Sequence, residues 1–206
     1  MPVASQDVFP MFVEPYFRAN IAGTITPQQI AFIKNLKMVN NPENMISENL
    51  YIFEEPELKS IKDTVQEVLD IYAREVLCIP QKIYVTQSWS LVCMPNAGMH
   101  GHSHSNSILS GSLYYCELPD PPSSMVFTRH TNYQQIELPP EPGKRNIYNS
   151  PINRVTPRQD DILLFSSRLT HLVEQNRSGQ PRHSIAFNTF IKGQLGDYRA
   201  VTELKL

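Results

Sequence analysis

The hydrophobic spacing of this chain changes period once, near Pro80, and that change limits the folds open to it. Upstream the spacing is helical. Thr26-Pro27-Gln28-Gln29 offers a capping hydroxyl, a proline at the first helical position and a glutamine where a capping box needs one, with Phe32, Leu36 and Val39 following on one face. A second helix is predicted from about Pro56, carrying Leu58, Ile61, Val65, Val68, Leu69, Tyr72 and Val76. It has to stop before Pro80, whose ring removes a backbone donor. Downstream the period is 2. Strands are predicted at 82–94, 107–118, 125–129, 145–149, 161–166, 171–175 and 183–192, some separated by turn formers such as PDPPSS (119–124) and PPEPG (139–143). Short strands after helices grouped at one end predict a mainly β fold, a double-stranded β-helix or jelly roll with N-terminal helices packed outside the sheet. On this reading 1–206 is a single domain: residues 1–80 are a helical support, 81–192 the jelly-roll core and 193–206 a C-terminal tail.

Composition narrows the partners. A formal net charge of −2 with 18% charged residues gives no electrostatic case for nucleic acid or an anionic membrane. No apolar run approaches the ~20 residues of a membrane span, and the N-terminus lacks the basic start and apolar stretch of a signal peptide. A cytoplasmic protein is therefore expected, monomeric or homodimeric. Cys78, Cys93 and Cys116, odd in number and without a CxxC pair, read as reduced and buried thiols.

The chemistry concentrates in MHGHSHSNSILSGSLYY, residues 99–115, which holds three of six histidines in five positions. In an extended segment His102 and His104 point to one side and can converge on one ion. His171, just after DILLFSS (161–167), is the candidate partner from a distant strand; Glu174 or Asp160 could instead fill the place given to His104. His100 shares the alternation and reads as a residue of the mouth. Eleven residues beyond His171, RHSIAFNTF puts Arg182, Ser184, Ala186 and Asn188 on one face, and His183 on the other. A guanidinium pointing into a barrel is costly to bury unless an anion meets it, and its planar fork suits a carboxylate. Metal at one end and a carboxylate clamp at the other describe a site for a dicarboxylate that also chelates the ion. Trp89 reads as core beside this site, and the polar, proline-broken segment 129–145 as an insertion or a lid.

The ordered set HSHSNSILSGSLY (102–114), QSWSLV (87–92), ILLFSSRLTH (162–171) and RHSIAFN (182–188) resembles the Fe(II)- and 2-oxoglutarate-dependent oxygenases. It is similar above all to a prolyl-hydroxylase-like subgroup of bacteria and phages with the pattern H-x-H-x-x-S-x-L-S-G-x-x-Y. The resemblance covers roughly residues 83–192 and implies that His102, His104 and His171 hold Fe(II). It implies that Arg182 binds the distal carboxylate of 2-oxoglutarate with help from Ser184 and Tyr114, and that O2 is the oxidant. The reaction implied is hydroxylation of a C–H bond on a protein side chain or amino acid, with release of succinate and CO2. His104 stands where the wider superfamily has a carboxylate, which leaves the site one unit more positive. Two rivals remain: a cupin-like metal enzyme that does not use 2-oxoglutarate, which leaves Arg182 unexplained, and a non-catalytic module holding structural zinc, which needs a fourth ligand.

Overall fold

The computed structural model describes residues 5–129 and 139–206. Two antiparallel sheets face each other, and the site lies between them. The larger sheet has the strand order β1-β9-β6-β11-β4-β3-β2, with β1 Tyr16–Asn20, β2 Met38–Asn41, β3 Asn44–Ser47, β4 Lys82–Cys93, β6 Leu109–Leu113, β9 Asp161–Ser166 and β11 Arg182–Lys192. The smaller has the order β5-β10-β7-β8, with β5 Met99–His102, β7 Met125–Thr128, β8 Ile152–Val155 and β10 His171–Val173. A short hairpin, β12 Gln194–Leu195 with β13 Leu204–Lys205, makes up much of the tail. Antiparallel sheets in a mainly β chain, with helix on the outer face, are the jelly-roll arrangement expected from the period change.

Alternation along the strands sorts side chains between two cores. Ile162 and Leu164 of β9, Leu109 and Leu113 of β6, and Ile185 and Phe187 of β11 face outward. There they meet Ile61, Val65, Val68, Leu69 and Tyr72 of helix α2, Lys59–Glu75. Each such side chain gains roughly 1.5–3 kcal/mol from burial, so α2 is held by its apolar stripe rather than by caps. The intervening Leu163 and Phe165 point between the sheets and pack with Tyr114, Met125, Phe127 and Val155.

Helix α1, Pro27–Lys34, starts at the expected capping box: Thr26 Oγ1 accepts from the Gln29 amide at 3.2 Å, and Gln29 Oε1 accepts from the Thr26 amide at 3.0 Å. It is shorter than its apolar spacing suggested. The chain leaves the helix at Asn35, and Val39 pairs with Ile46 in the β2–β3 hairpin, so Phe32, Leu36 and Val39 do not share a helical face. Strands β1, β2 and β3 lie in a region that read as helical. A second correction concerns 145–149, which is not a strand. Asn146 and Asn149 side chains capture the local backbone: Asn146 Oδ1 accepts from the Tyr148 amide and Asn149 Oδ1 from the Asn146 amide, both at 2.8 Å. These local side-chain-to-backbone bonds, the first an Asx turn, compete with ladder pairing, and the strand falls instead at β8. Cys93 and Cys116 are buried free thiols as expected, but Cys78 is exposed in the turn after α2. Among the described residues no helix is long and apolar enough to cross a membrane.

Candidate active site

The pairing of β5 with β10 sets His102 directly opposite His171. Two residues on, the His104 amide donates to the Ser167 carbonyl at 2.9 Å, which ties the end of the HxH stretch to the end of β9. Ring centroids are 4.4 Å apart for His102 and His171, 5.0 Å for His102 and His104, and 5.2 Å for His104 and His171. One ring nitrogen from each lies within 4.8 Å of the other two, close enough for all three to reach one ion.

The ring orientations also fit a metal. His102 Nδ1 is 2.9 Å from the His100 carbonyl and His171 Nδ1 is 2.9 Å from the Leu169 carbonyl. A carbonyl oxygen can only accept, so in the neutral rings each Nδ1 carries the hydrogen and each Nε2 keeps its lone pair for an ion. Burial, with the nearby His102, holds His104 down to about 4. Burial likewise takes His171 down to about 4 against the opposing Leu169 hydrogen bond, with His102 and His104 adding to the fall. At neutral pH both rings are uncharged, the form that binds metal.

Arg182 closes the other end. It is 1% exposed, and its guanidinium meets no carboxylate among the described residues. One Nη donates to Tyr114 Oη at 3.1 Å, the guanidinium carbon stands 5.0 Å from the Tyr114 ring centroid, and Nε is buried with no partner. Tyr114 is fully buried and its phenol is pushed up by burial, against the pull of Arg182, so it stays protonated. Tyr114 accepts from Arg182, and Ser112 is a second side-chain hydrogen-bonding neighbour of its hydroxyl. Ser184, next on the same face of β11, is buried beside it. A single cavity of about 290 Å³ is lined by His102, His104, His171, Arg182 and Ser184. The donor set fits a divalent ion at one end and a carboxylate at the other.

The residues that competed for these places are engaged elsewhere. Glu174 pairs with Arg154 at 2.7 Å, and neither it nor Asp160 joins the metal-capable group. His100 is exposed, 3.7 Å from the Glu43 carboxylate and outside that group, at the rim as expected. His183 faces the opposite side of the sheet, against Tyr115. Trp89 lines the cavity with its ring centroid 6.3 Å from that of His104. Of the segment 129–145 read as an insertion or a lid, residues 130–138 lie outside the described residues.

A family model described as 2OG-Fe(II) oxygenase matches residues 87–188, the span from the tryptophan strand to Asn188. The chain belongs to the 2OG-Fe(II) oxygenases. It is an oxygenase that uses Fe(II), 2-oxoglutarate and O2. Solved structures of the same fold include a 2OG-Fe(II) oxygenase-family oxidoreductase from Burkholderia pseudomallei, at 9% identity and a TM-score of 0.60 over 84% of this chain and 83% of that one. HygX from Streptomyces hygroscopicus, with nickel, 2-oxoglutarate and hygromycin B bound, aligns at 13% identity and 0.58 over 85% and 82%. A prolyl-4-hydroxylase from Pseudomonas putida aligns at 11% identity and 0.55 over 85% and 92%. No curated protein sequence matches significantly. The structural-zinc alternative lacks its fourth ligand among the described residues.

Sequence reasoning passed over several polar groups that shape the site. Asn188 Nδ2 lies 3.5 Å from His104 Nδ1, and Ser107, Ser110 and Ser167 form a hydroxyl cluster behind it. Cys93 sits opposite Arg182 in the β4–β11 register, and Gln87 and Asn41 line the cavity. The alternation on β11 had already put Asn188 on the site face; its contact with His104 depends on how β5 and β11 meet.

Proposed function

We propose that His102, His104 and His171 bind Fe(II) through Nε2, and that Arg182, with Tyr114 and Ser184, holds the distal carboxylate of 2-oxoglutarate. The supporting observation is the guanidinium of Arg182, without a carboxylate partner among the described residues and buried on the wall of the chamber that the three imidazoles share. A buried cation without a counter-charge costs several kcal/mol, and a carboxylate meeting its fork recovers that cost. Tyr114 keeps the guanidinium plane fixed. When bound, the iron with its co-substrate and O2 supplies the oxidising power, converting 2-oxoglutarate to succinate and CO2 and delivering one oxygen atom to a C–H bond. The chain's own residues fix the orientation of both ligands and keep bulk water from the chamber. Neutral imidazoles leave the ion's full charge to attract the dianionic co-substrate.

The substrate we propose is an uncharged side chain of a protein, with the prolyl ring as the first to test. Arg182 is the one Asp, Glu, Lys or Arg among the described residues of the cavity lining, and the reading above commits it to the co-substrate. A free amino acid would bring an ammonium and a carboxylate with nothing left to meet them. A peptide brings neither, and the carboxamides of Gln87 and Asn41 beside Trp89, Ile46 and Leu50 suit backbone amides flanking an apolar group. The test is anaerobic loading with Fe(II) and 2-oxoglutarate, followed by O2 and a panel of peptides and free amino acids. Succinate and a peptide mass gain of one oxygen atom are expected. Absence of a visible charge-transfer band and of succinate sinks the site assignment, and turnover of free amino acids alone sinks the substrate.

A further inference from the structure

Behind His104 runs a chain of hydroxyls whose hydrogen count carries information. Ser110 Oγ is 2.9 Å from Asn188 Oδ1 and 2.9 Å from Ser167 Oγ. Ser167 Oγ is 2.7 Å from Ser107 Oγ, which is 3.0 Å from the Leu109 carbonyl. With Oδ1 of Asn188 facing Ser110, these four contacts join five oxygens with only the hydrogens of Ser107, Ser110 and Ser167 to share, three for four. One contact is then a bare approach of two oxygens. The Leu109 carbonyl can only accept, so the far end of the chain has a fixed polarity.

Turning the Asn188 amide over, with its nitrogen and oxygen exchanged at unchanged shape, supplies the fourth hydrogen. Asn188 Nδ2 then donates to Ser110, Ser110 to Ser167, Ser167 to Ser107, and Ser107 to the Leu109 carbonyl. The Leu109 carbonyl keeps its second lone pair for the Thr189 hydroxyl, 2.8 Å away. The same turn puts Oδ1 against His104 Nδ1. That ring then matches His102 and His171, whose Nδ1 atoms each face an oxygen.

We propose that Asn188 is a positioning residue: its amide, oriented by the serine chain, presents Oδ1 to His104 Nδ1 and holds that imidazole in the Nδ1–H tautomer with Nε2 free. The consequence for metal binding rests on the reading of His104 as a ligand; the tautomer itself does not. A backing oxygen of this kind both aims a ligand ring and raises its basicity. His104 is the ligand that most needs one, because it lies past the end of β5. There the amide hydrogen bond to Ser167 holds the main chain but, among the described residues, no backbone carbonyl faces the ring as at His102 and His171.

The experiment uses the full chain, metal-free and labelled with 15N-histidine, and reads the ring nitrogens by two-bond proton–nitrogen correlation, with His104 assigned by the loss of its signals in His104→Ala. The expected result is the Nδ1–H pattern for His104; an Nε2–H pattern overturns the proposal. Asn188→Asp, which keeps an oxygen against His104, should leave the tautomer unchanged. If the amide nitrogen faced His104 instead, the same substitution would switch the ring from Nε2–H to Nδ1–H. Asn188→Ala should lose the tautomer preference and bind cobalt(II) about 10–100-fold more weakly; wild-type affinity with a wild-type tautomer refutes the role. Should cobalt fail to bind the wild-type chain at all, the metal reading falls, while the ring-nitrogen spectrum still decides the role of Asn188.

Discussion

Replacing Arg182 with methionine separates what this residue does for the fold from what it does for the ligand. In the ligand-free chain the guanidinium is 1% exposed with an orphaned Nε and a hydrogen bond to Tyr114. Burying such a charge costs several kcal/mol. Against that stand a charged hydrogen bond of about 1.5–3 kcal/mol and a cation–π contact of at most about 2 kcal/mol. The terms nearly cancel, and methionine of similar length keeps much of the packing. Ligand-free Arg182→Met should therefore lie within about 1 kcal/mol of wild type or above it, whereas truncation of an ordinary large core residue costs about 2–5 kcal/mol.

With co-substrate the balance reverses. Removing one partner of a buried charge pair costs about 2–5 kcal/mol of binding, from about thirtyfold to several thousandfold in Kd, with about a hundredfold as a working value. Thermal unfolding with nickel(II), titrated with 2-oxoglutarate, reads both effects. At a co-substrate concentration one hundred times the wild-type Kd, wild type should gain about 2.7 kcal/mol, or about 5–10 °C in a chain of this size. A variant weakened a hundredfold gains only about 0.4 kcal/mol. Loss of several kcal/mol in the ligand-free variant would mean that Arg182 is a structural group. An undiminished 2-oxoglutarate shift would mean that it is not the clamp.

Three further outcomes follow from the same coordinates. Gly111→Ala should lower stability by about 1–3 kcal/mol, because a Cβ there falls inside the Phe187 ring, itself buried against Phe53; unchanged Tm would show that this packing can yield. The metal-free protein should lose stability as pH falls from about 6.5 to 4: the unfolded histidines titrate near 6.5 while His104 and His171 stay neutral to about 4, so the unfolded chain binds more protons across that window. For the buried His171 this amounts to at most about 3 kcal/mol, and the gap between urea midpoints at pH 7 and 4.5 should narrow in His171→Gln, with the remainder left to His104; an equal gap in both proteins would refute it. Trp89→Ala should leave the 2-oxoglutarate thermal shift intact and raise KM for a peptide substrate about tenfold; an unaltered KM would return Trp89 to a packing role.

Much of this site could be read from the sequence because its parts obey short-range rules. Residues i and i+2 share a strand face, which joined Arg182 to Ser184 and Asn188 and separated His183 from them. An apolar run bounded by turns marked β9, buried on both faces. The elements that escaped are those where local chemistry was ambiguous. Strands β1–β3 are four or five residues long and half-exposed, too short to show a period. Residues 145–149 alternated like a strand, yet their two asparagines offered the backbone nearer partners than a ladder could.

What no local rule could supply is the partner behind each imidazole. The carbonyls of His100 and Leu169 serve as partners because of how the backbone bends at β5 and ahead of β10, and the carboxamide facing His104, that of Asn188, comes from β11 in the other sheet. The two ends of the site are nonetheless linked through one strand. Arg182 and Asn188 lie on the same face of β11, and the β4–β11 register shifts immediately after Asn188. Asn188 pairs with Gln87 and Thr189 with Val85, so the extra residue of this bulge is Thr86 on β4, and β11 keeps its alternation through it. Arg182 and Asn188 thus share one unbroken alternation. A change in the register of β11 would disturb the carboxylate end and the metal end together, which is why the pairing of β11 with β4, the longest in the molecule, stabilises the fold and the geometry of the site at once.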